Sequence, residues 1–210
     1  MKQAAVQAKS DYHLSVGQPC WVPTDDEEGF AICTVTRLDG EAVTVRDAAS
    51  ATHILPTSDC HPCNPESQAG CKDNTELMFL REPHMLHNLR QRFSRDIIYT
   101  YTASILIACN PFKALPALYG EERMAAYLGK SLGSMEPHIF AVADRAYRSM
   151  RHYGLSQAVI ISGESGSGKT EVRPTRKCGF RQEASSTATL LPSLLACLTR
   201  ECLPSAPACE

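Results

Sequence analysis

The chain has 210 residues, 43% of them hydrophobic, and 21 Lys and Arg against 23 Asp and Glu give a formal net charge of -2. That length allows one or two globular domains, and a charge so close to zero excludes a nucleic-acid binder that works by bulk attraction to phosphates. No run approaches the ~18 consecutive apolar residues of a membrane helix, and the opening MKQAAVQAKSDYHL has no apolar stretch of the kind a secretory signal carries. The chain is therefore expected to be soluble and cytoplasmic, with its ten cysteines as free thiols.

After an N-terminal tail, residues 1–16, the segment 17–57 reads as a small β-barrel. Trp21 and Val22 suggest a short strand. Phe30 to Leu38 (FAICTVTRL) and Ala42 to Arg46 (AVTVR) are β-rich and flank Asp39-Gly40, a strong hairpin signal because both turn positions favour positive φ. Residues 58–74, rich in Pro, Ser, Asn, Gly and Cys, read as a linker. They contain Cys60-His61-Pro62-Cys63, with Cys71 and His53 nearby. A CxxC pair can seat two thiolates on zinc, but a second, equally tight pair is missing, and a cysteine-rich loop is the preferred reading.

Helical patterning follows. Met85, Leu86, Leu89 and Phe93 share one face, with Arg90 and Arg92 elsewhere. His84 and His87 on that helix are read as solvated or hydrogen-bonded rather than as a metal pair. Ile97 to Cys109 (IIYTYTASILIAC) suggests a half-buried strand running into a fully buried one, stopped by Asn110-Pro111. Glu121 to Leu128 is a short helix. Pro137 opens a longer one with an apolar stripe of Ile139, Val142, Ala143, Ala146, Tyr147 and Met150, and Gly154 is its natural C-cap. Asp144 lies within that helix, which argues against a Walker B role.

Ala158 to Ser162 (AVIIS) reads as a buried parallel strand. Gly163-Glu164-Ser165-Gly166-Ser167-Gly168-Lys169-Thr170 follows and fits G-x-x-x-x-G-K-[ST] in full. The spacing has a physical reason. Glycines allow backbone N–H groups to face phosphates, and a helix N-terminus adds partial positive charge. Lys169 would reach the β- and γ-phosphates and Thr170 would ligate Mg²⁺.

GESGSGKTE, Gly163 to Glu171, closely resembles the P-loop of myosins, with Ser167 in place of a usual alanine. Five further motifs resemble that family in the same order. They are Leu86-His87-Asn88-Leu89 with Arg92-Phe93, and Ile98-Tyr99-Thr100-Tyr101. Asn110-Pro111-Phe112-Lys113, ending at Tyr119, comes next. Gly129-Lys130 and Pro137-His138-Ile139-Phe140-Ala141-Val142-Ala143-Asp144 complete them, with Glu136 in place of a proline. The β module is similar to the SH3-like domain many myosins carry, and GKSLG at Gly129 to Gly133 is most similar to class VI motors. The resemblance implies an α/β P-loop NTPase motor, incomplete and preceded by a small SH3-like β-barrel. Residues 75–171 would be the N-terminal part of the motor domain. ATP and Mg²⁺ are the implied ligands, with adenine beside Asn110, Pro111, Phe112, Lys113 and Tyr119 and phosphates in Gly163 to Thr170. Actin and the cytoskeleton are the implied partner and setting.

The resemblance stops at Glu171, where Val172-Arg173-Pro174 replaces the family's continuing helix. Residues 172–210 contain no Ile, Asp, Asn, Tyr, Trp, Met or His. This divergent tail is expected to be disordered and to mark a frame change, a retained intron or a misassigned exon. No switch I-like or switch II-like segment occurs in the chain. ATP hydrolysis and movement along actin are therefore expected to be lost, with no complete catalytic set. The alternative is a non-catalytic interaction protein with an SH3-like module and a vestigial nucleotide site.

Overall fold

The structure is a computed structural model that describes residues 14–172. Most of the N-terminal tail and residues 173–210 of the divergent tail lie outside the described residues. The chain divides into two compact units at Ile97/Ile98, taken here in turn.

The first unit is built on an antiparallel sheet of five strands. These are β1 (Pro19–Pro23), β2 (Phe30–Asp39), β3 (Ala42–Arg46), β4 (Thr52–Pro56) and β5 (His61–Pro62), in the order β4-β3-β2-β1-β5. The sheet is consistent with the SH3-like module expected from the sequence. Alternation sets its inner face: Cys33 and Val35 of β2 and Val43 and Val45 of β3 are buried with Cys20, Val22 and Cys60. The β2–β3 hairpin turns one residue later than Asp39-Gly40. Asp39 pairs with Ala42, so Gly40-Glu41 is the turn. Gly40 alone has positive φ, +61°, which is the pattern of a turn with glycine at its first central position. A register shift between Val35 and Arg37 bends β2.

The residues read as a linker supply β5 and two 3-10 turns, Thr57–Asp59 and Glu66–Gln68. Helix α1 (Glu82–Phe93) buries a different face from the one its apolar residues predict. Pro83, His84, Asn88 and Arg92 are buried, while Phe93 is exposed. The reason is hydrogen bonding. His84 Nε2–H donates to the Pro62 carbonyl at 2.7 Å. Asn88 Nδ2 donates to Cys71 O at 3.1 Å and Asn74 Oδ1 at 2.8 Å. Arg92 Nη1 donates to Gly70 O at 3.0 Å. These carbonyls come from the segment ahead of the helix, and a carbonyl removed from water must be paired. A polar stripe at i, i+4, i+8 meets that need. Arg90 forms an ion pair with Glu28 at the β1–β2 connection.

The second unit opens with β6 (Tyr99–Thr102) and β7 (Ile105–Ala108). The sequence suggested one strand running into the next. The structure makes an antiparallel hairpin in which Thr102 faces Ile105 across Ala103-Ser104. Ala103 takes φ +54° at the turn, and Ile105 is exposed rather than deeply buried. Helices α2 (Glu121–Tyr127) and α3 (Ile139–Tyr153) follow. The buried face of α3 is Ile139, Phe140, Ala141, Ala143, Asp144 and Met150, so Phe140 and Asp144 join the stripe while Tyr147 is exposed. Gly154 caps α3 in the left-handed region at φ +65°.

The expected strand at Ala158 to Ser162 does not form. These residues have no strand partner, and Ile160 is 88% exposed. A continuous apolar run becomes a central strand only where neighbours cover both of its faces. Every described strand pairing is antiparallel, so the parallel sheet implied by the resemblance is not formed among the described residues. A final turn of helix, α4 (Lys169–Val172), ends the described chain.

Candidate functional site

His138 organises the centre of the second unit. It is fully buried and serves as the N-cap of α3, its Nδ1 accepting from Phe140 N–H at 3.0 Å. Its Nε2–H donates to Leu118 O at 3.0 Å, so the two bonds together fix the tautomer. Four aromatic rings surround it: Tyr99, Tyr119, Tyr127 and Phe140, with centroids 4.4–5.7 Å away. Tyr119 is thereby set twice. Its neighbour Leu118 is held by His138, and its hydroxyl is 2.9 Å from that of Tyr99.

Tyr119 forms one wall of a small cleft, about 40 Å³, lined also by Ile98, Ala108, Cys109, Asn110, Pro111, Ser167 and Gly168. The structure thus brings Asn110, Pro111 and Tyr119 together with Ser167 and Gly168 of the glycine loop. Phe112 and Lys113 are not in that lining, and the Phe112 ring is 86% exposed. Ile98 was named only as part of the Ile98-Tyr99-Thr100-Tyr101 motif, and Ala108 and Cys109 were not singled out as site residues; the apolar run leading into Asn110 was the available signal. Burial pushes the Cys109 thiol above its ordinary range.

The glycine loop is tightly curled. Ser167 N–H donates to Glu164 O at 3.2 Å. Lys169 Nζ folds back on the loop, donating to Gly163 O at 2.7 Å and Glu164 O at 2.8 Å. Gly168 has φ +88°, a conformation other residues resist. A Cβ on Gly163 would lie 2.6 Å from Ser167 Oγ, so a side chain there would turn the Ser167 hydroxyl aside. Glu164, Ser165, Gly166 and Thr170 are exposed along the loop and the first turn of α4.

Asp144 is engaged elsewhere. Its carboxylate takes Arg148 Nε at 2.7 Å and Gly129 N–H at 3.3 Å, a link between α3 and the chain after α2. Among the described residues, no group of three or more His, Cys, Asp or Glu side chains could hold a metal ion. The cysteine-rich segment contributes Cys60 to the apolar core beside Cys20 and Cys33 instead.

Comparison with known proteins defines the class. Residues 71–177 match the family model for the myosin head (motor domain), half of the chain, and the chain belongs to that family. It is 41% identical over 157 residues to unconventional myosin-VI of Sus scrofa, covering 74% of this chain and 12% of that protein. It is 46% identical over 159 residues to myosin-13 of Arabidopsis thaliana, covering 75% of this chain and 11% of that protein. Human unconventional myosin-VI is 40% identical over 157 residues, with 74% and 12% covered. The chain therefore spans about an eighth of the length of these relatives. Among the described residues, no helix is long and apolar enough to cross a membrane.

Proposed function

We propose that this chain is the ATP-binding front portion of an actin-based myosin motor, acting in the cytoplasm on the actin cytoskeleton. The observation that carries the reading is the cleft where Asn110, Pro111 and Tyr119 meet Ser167 and Gly168 of the glycine loop, in a chain of the myosin head family. Adenine would lie on the Asn110, Pro111 and Tyr119 side, with Phe112 and Lys113 at the rim, and phosphates along Gly163 to Thr170. The residues present fit such a ligand. The loop has glycines where the backbone takes left-handed φ, at Gly166 and Gly168, its lysine is held on its own carbonyls, and Thr170 offers a hydroxyl oxygen, a donor suited to a hard cation. Thr170 would hold Mg²⁺, which would neutralise charge on the phosphates when bound.

Domain boundaries near residues 17, 57, 74 and 171 belong to the same proposal, with an SH3-like module ahead of the motor segment. A polypeptide of these 210 residues carries the cradle without switch-like segments, so it should bind ATP without appreciable turnover or actin-stimulated hydrolysis. Thermal unfolding with and without Mg-ATP tests the reading, because a ligand that binds the native state must stabilise it. At 100-fold excess over Kd the gain is about 2.7 kcal/mol, and Lys169→Ala should abolish it. An absent shift in the unsubstituted chain would favour a non-catalytic interaction protein. Actin-stimulated ATP hydrolysis would sink the claim of inactivity.

A further inference from the structure

We propose that Asn110 is a positioning residue: its carboxamide latches the glycine loop to the Asn110–Tyr119 loop, and so shapes the phosphate cradle rather than reading the base. The inference rests on the nucleotide-site reading above but changes the job of this residue within it.

Both halves of the amide are engaged. Oδ1 accepts from Phe112 N–H at 3.0 Å, and Nδ2 donates to Gly166 O at 3.1 Å, across 56 residues of sequence. Each partner is a backbone group in an unusual conformation. Phe112 takes φ +50°, a region costly for a bulky side chain, and its ring is 86% exposed, so packing of the ring does not hold it there. Gly166 takes φ +79° in an exposed turn. The side chain also lies against the glycine loop a second time, 3.6 Å from where a Cβ of Gly168 would sit.

The two bonds are directional. Turning the amide over would set N–H against N–H at Phe112 and C=O against C=O at Gly166, so one orientation is imposed. Aspartate keeps the acceptor and loses the donor, while alanine loses both. Only a carboxamide of this length serves both loops at once.

Hydrogen–deuterium exchange in the ligand-free chain tests the latch directly. The reporter is the Ser167 amide, bonded within the loop to Glu164 O. Losing one neutral hydrogen bond should speed its exchange about five-fold in both Asn110→Ala and Asn110→Asp. The Phe112 amide should quicken in Asn110→Ala alone. Unchanged Ser167 exchange in both variants would overturn the proposal. Calorimetry with Mg-pyrophosphate, which has no base, supplies the second arm. A positioning role predicts that Asn110→Ala weakens Mg-pyrophosphate and Mg-ATP by the same factor, about five-fold. Weakened ATP with unchanged pyrophosphate would make Asn110 a base contact and refute positioning. Failure of the unsubstituted chain to bind either ligand would defeat the nucleotide reading, while the exchange data would still decide the latch.

Discussion

Replacing His138 with alanine should be among the most damaging single changes in the second unit. The cost has three parts. The α3 cap, Nδ1 to Phe140 N–H, is lost, about 1 kcal/mol. Leu118 O loses the donor it has now, and leaving a part-buried carbonyl unsatisfied costs about 1 kcal/mol more. Removing an imidazole from among four aromatic rings leaves a cavity, about 2 kcal/mol on the scale of large-to-small core substitutions. The sum, about 4 kcal/mol, is a large share of the ~5–15 kcal/mol that stabilises a typical domain. Urea unfolding followed by near-ultraviolet circular dichroism in the tyrosine region suits the assay, because Tyr99, Tyr119 and Tyr127 all face this ring. His138→Asn keeps a short acceptor at the cap position and should recover about 1 kcal/mol. A loss below 1 kcal/mol for His138→Ala would refute the view that this ring joins the cap, the Leu118 turn and the aromatic cluster.

Other outcomes follow from the same geometry. Asp144→Asn should lower stability by about 1–2 kcal/mol, since a charged acceptor for Arg148 and Gly129 becomes neutral; Mg-ATP affinity should not change, and a loss there on calorimetry would contradict a purely structural role for Asp144. Burial holds the His84 imidazole below its ordinary value near 6.5. The unfolded chain then binds more protons than the folded one between those two values, so this residue's contribution is full above pH 6.5 and is lost as the pH falls through the folded value. Urea midpoints for the first unit should accordingly drop on acidification, and a midpoint that rises below pH 6.5 would contradict the assignment. Burial, with help from neighbouring thiols, pushes the Cys20 thiol up to about 12, and burial pushes Cys63 to about 11. Cys20 should therefore resist iodoacetamide at pH 8 by a factor on the order of 10³ relative to the unfolded chain, read by peptide mass spectrometry.

The β module was legible because its strands alternate: Cys33 and Val35, then Val43 and Val45, project to one side. Its turn was misplaced by one residue because Asp-Gly is a stronger signal than Gly-Glu, while pairing of Asp39 with Ala42 decided the register. The hairpin at β6–β7 was missed because Ala103-Ser104 contains neither Gly nor Asn, and Ala103 accepts a left-handed conformation instead. Helix α1 misled for a different reason. Apolar periodicity assumes that the buried face is the oily one, but here hydrogen bonds to the carbonyls of residues 62, 70 and 71 place His84, Arg92 and Asn88 on the buried face. At the candidate site, the glycine loop and Asn110, Pro111 and Tyr119 were visible as motifs. Phe112 and Lys113 belong to the same motif but not to the cleft lining; Phe112 is exposed and takes a left-handed φ of which its residue type carries no sign. Cys109 and Ala108 were visible only as the end of an apolar run, since a wall residue is defined by what faces it and not by its own chemistry.

The two short bonds from Lys169 to Gly163 O and Glu164 O mean that the loop already has an internal guest. An incoming anion does not find a bare cation waiting; it must compete with two carbonyls for the same ammonium group. Association is then an exchange of partners, and its heat should be smaller than a count of the new contacts suggests. Lys169 is in this sense a cation that the loop has already solvated for itself.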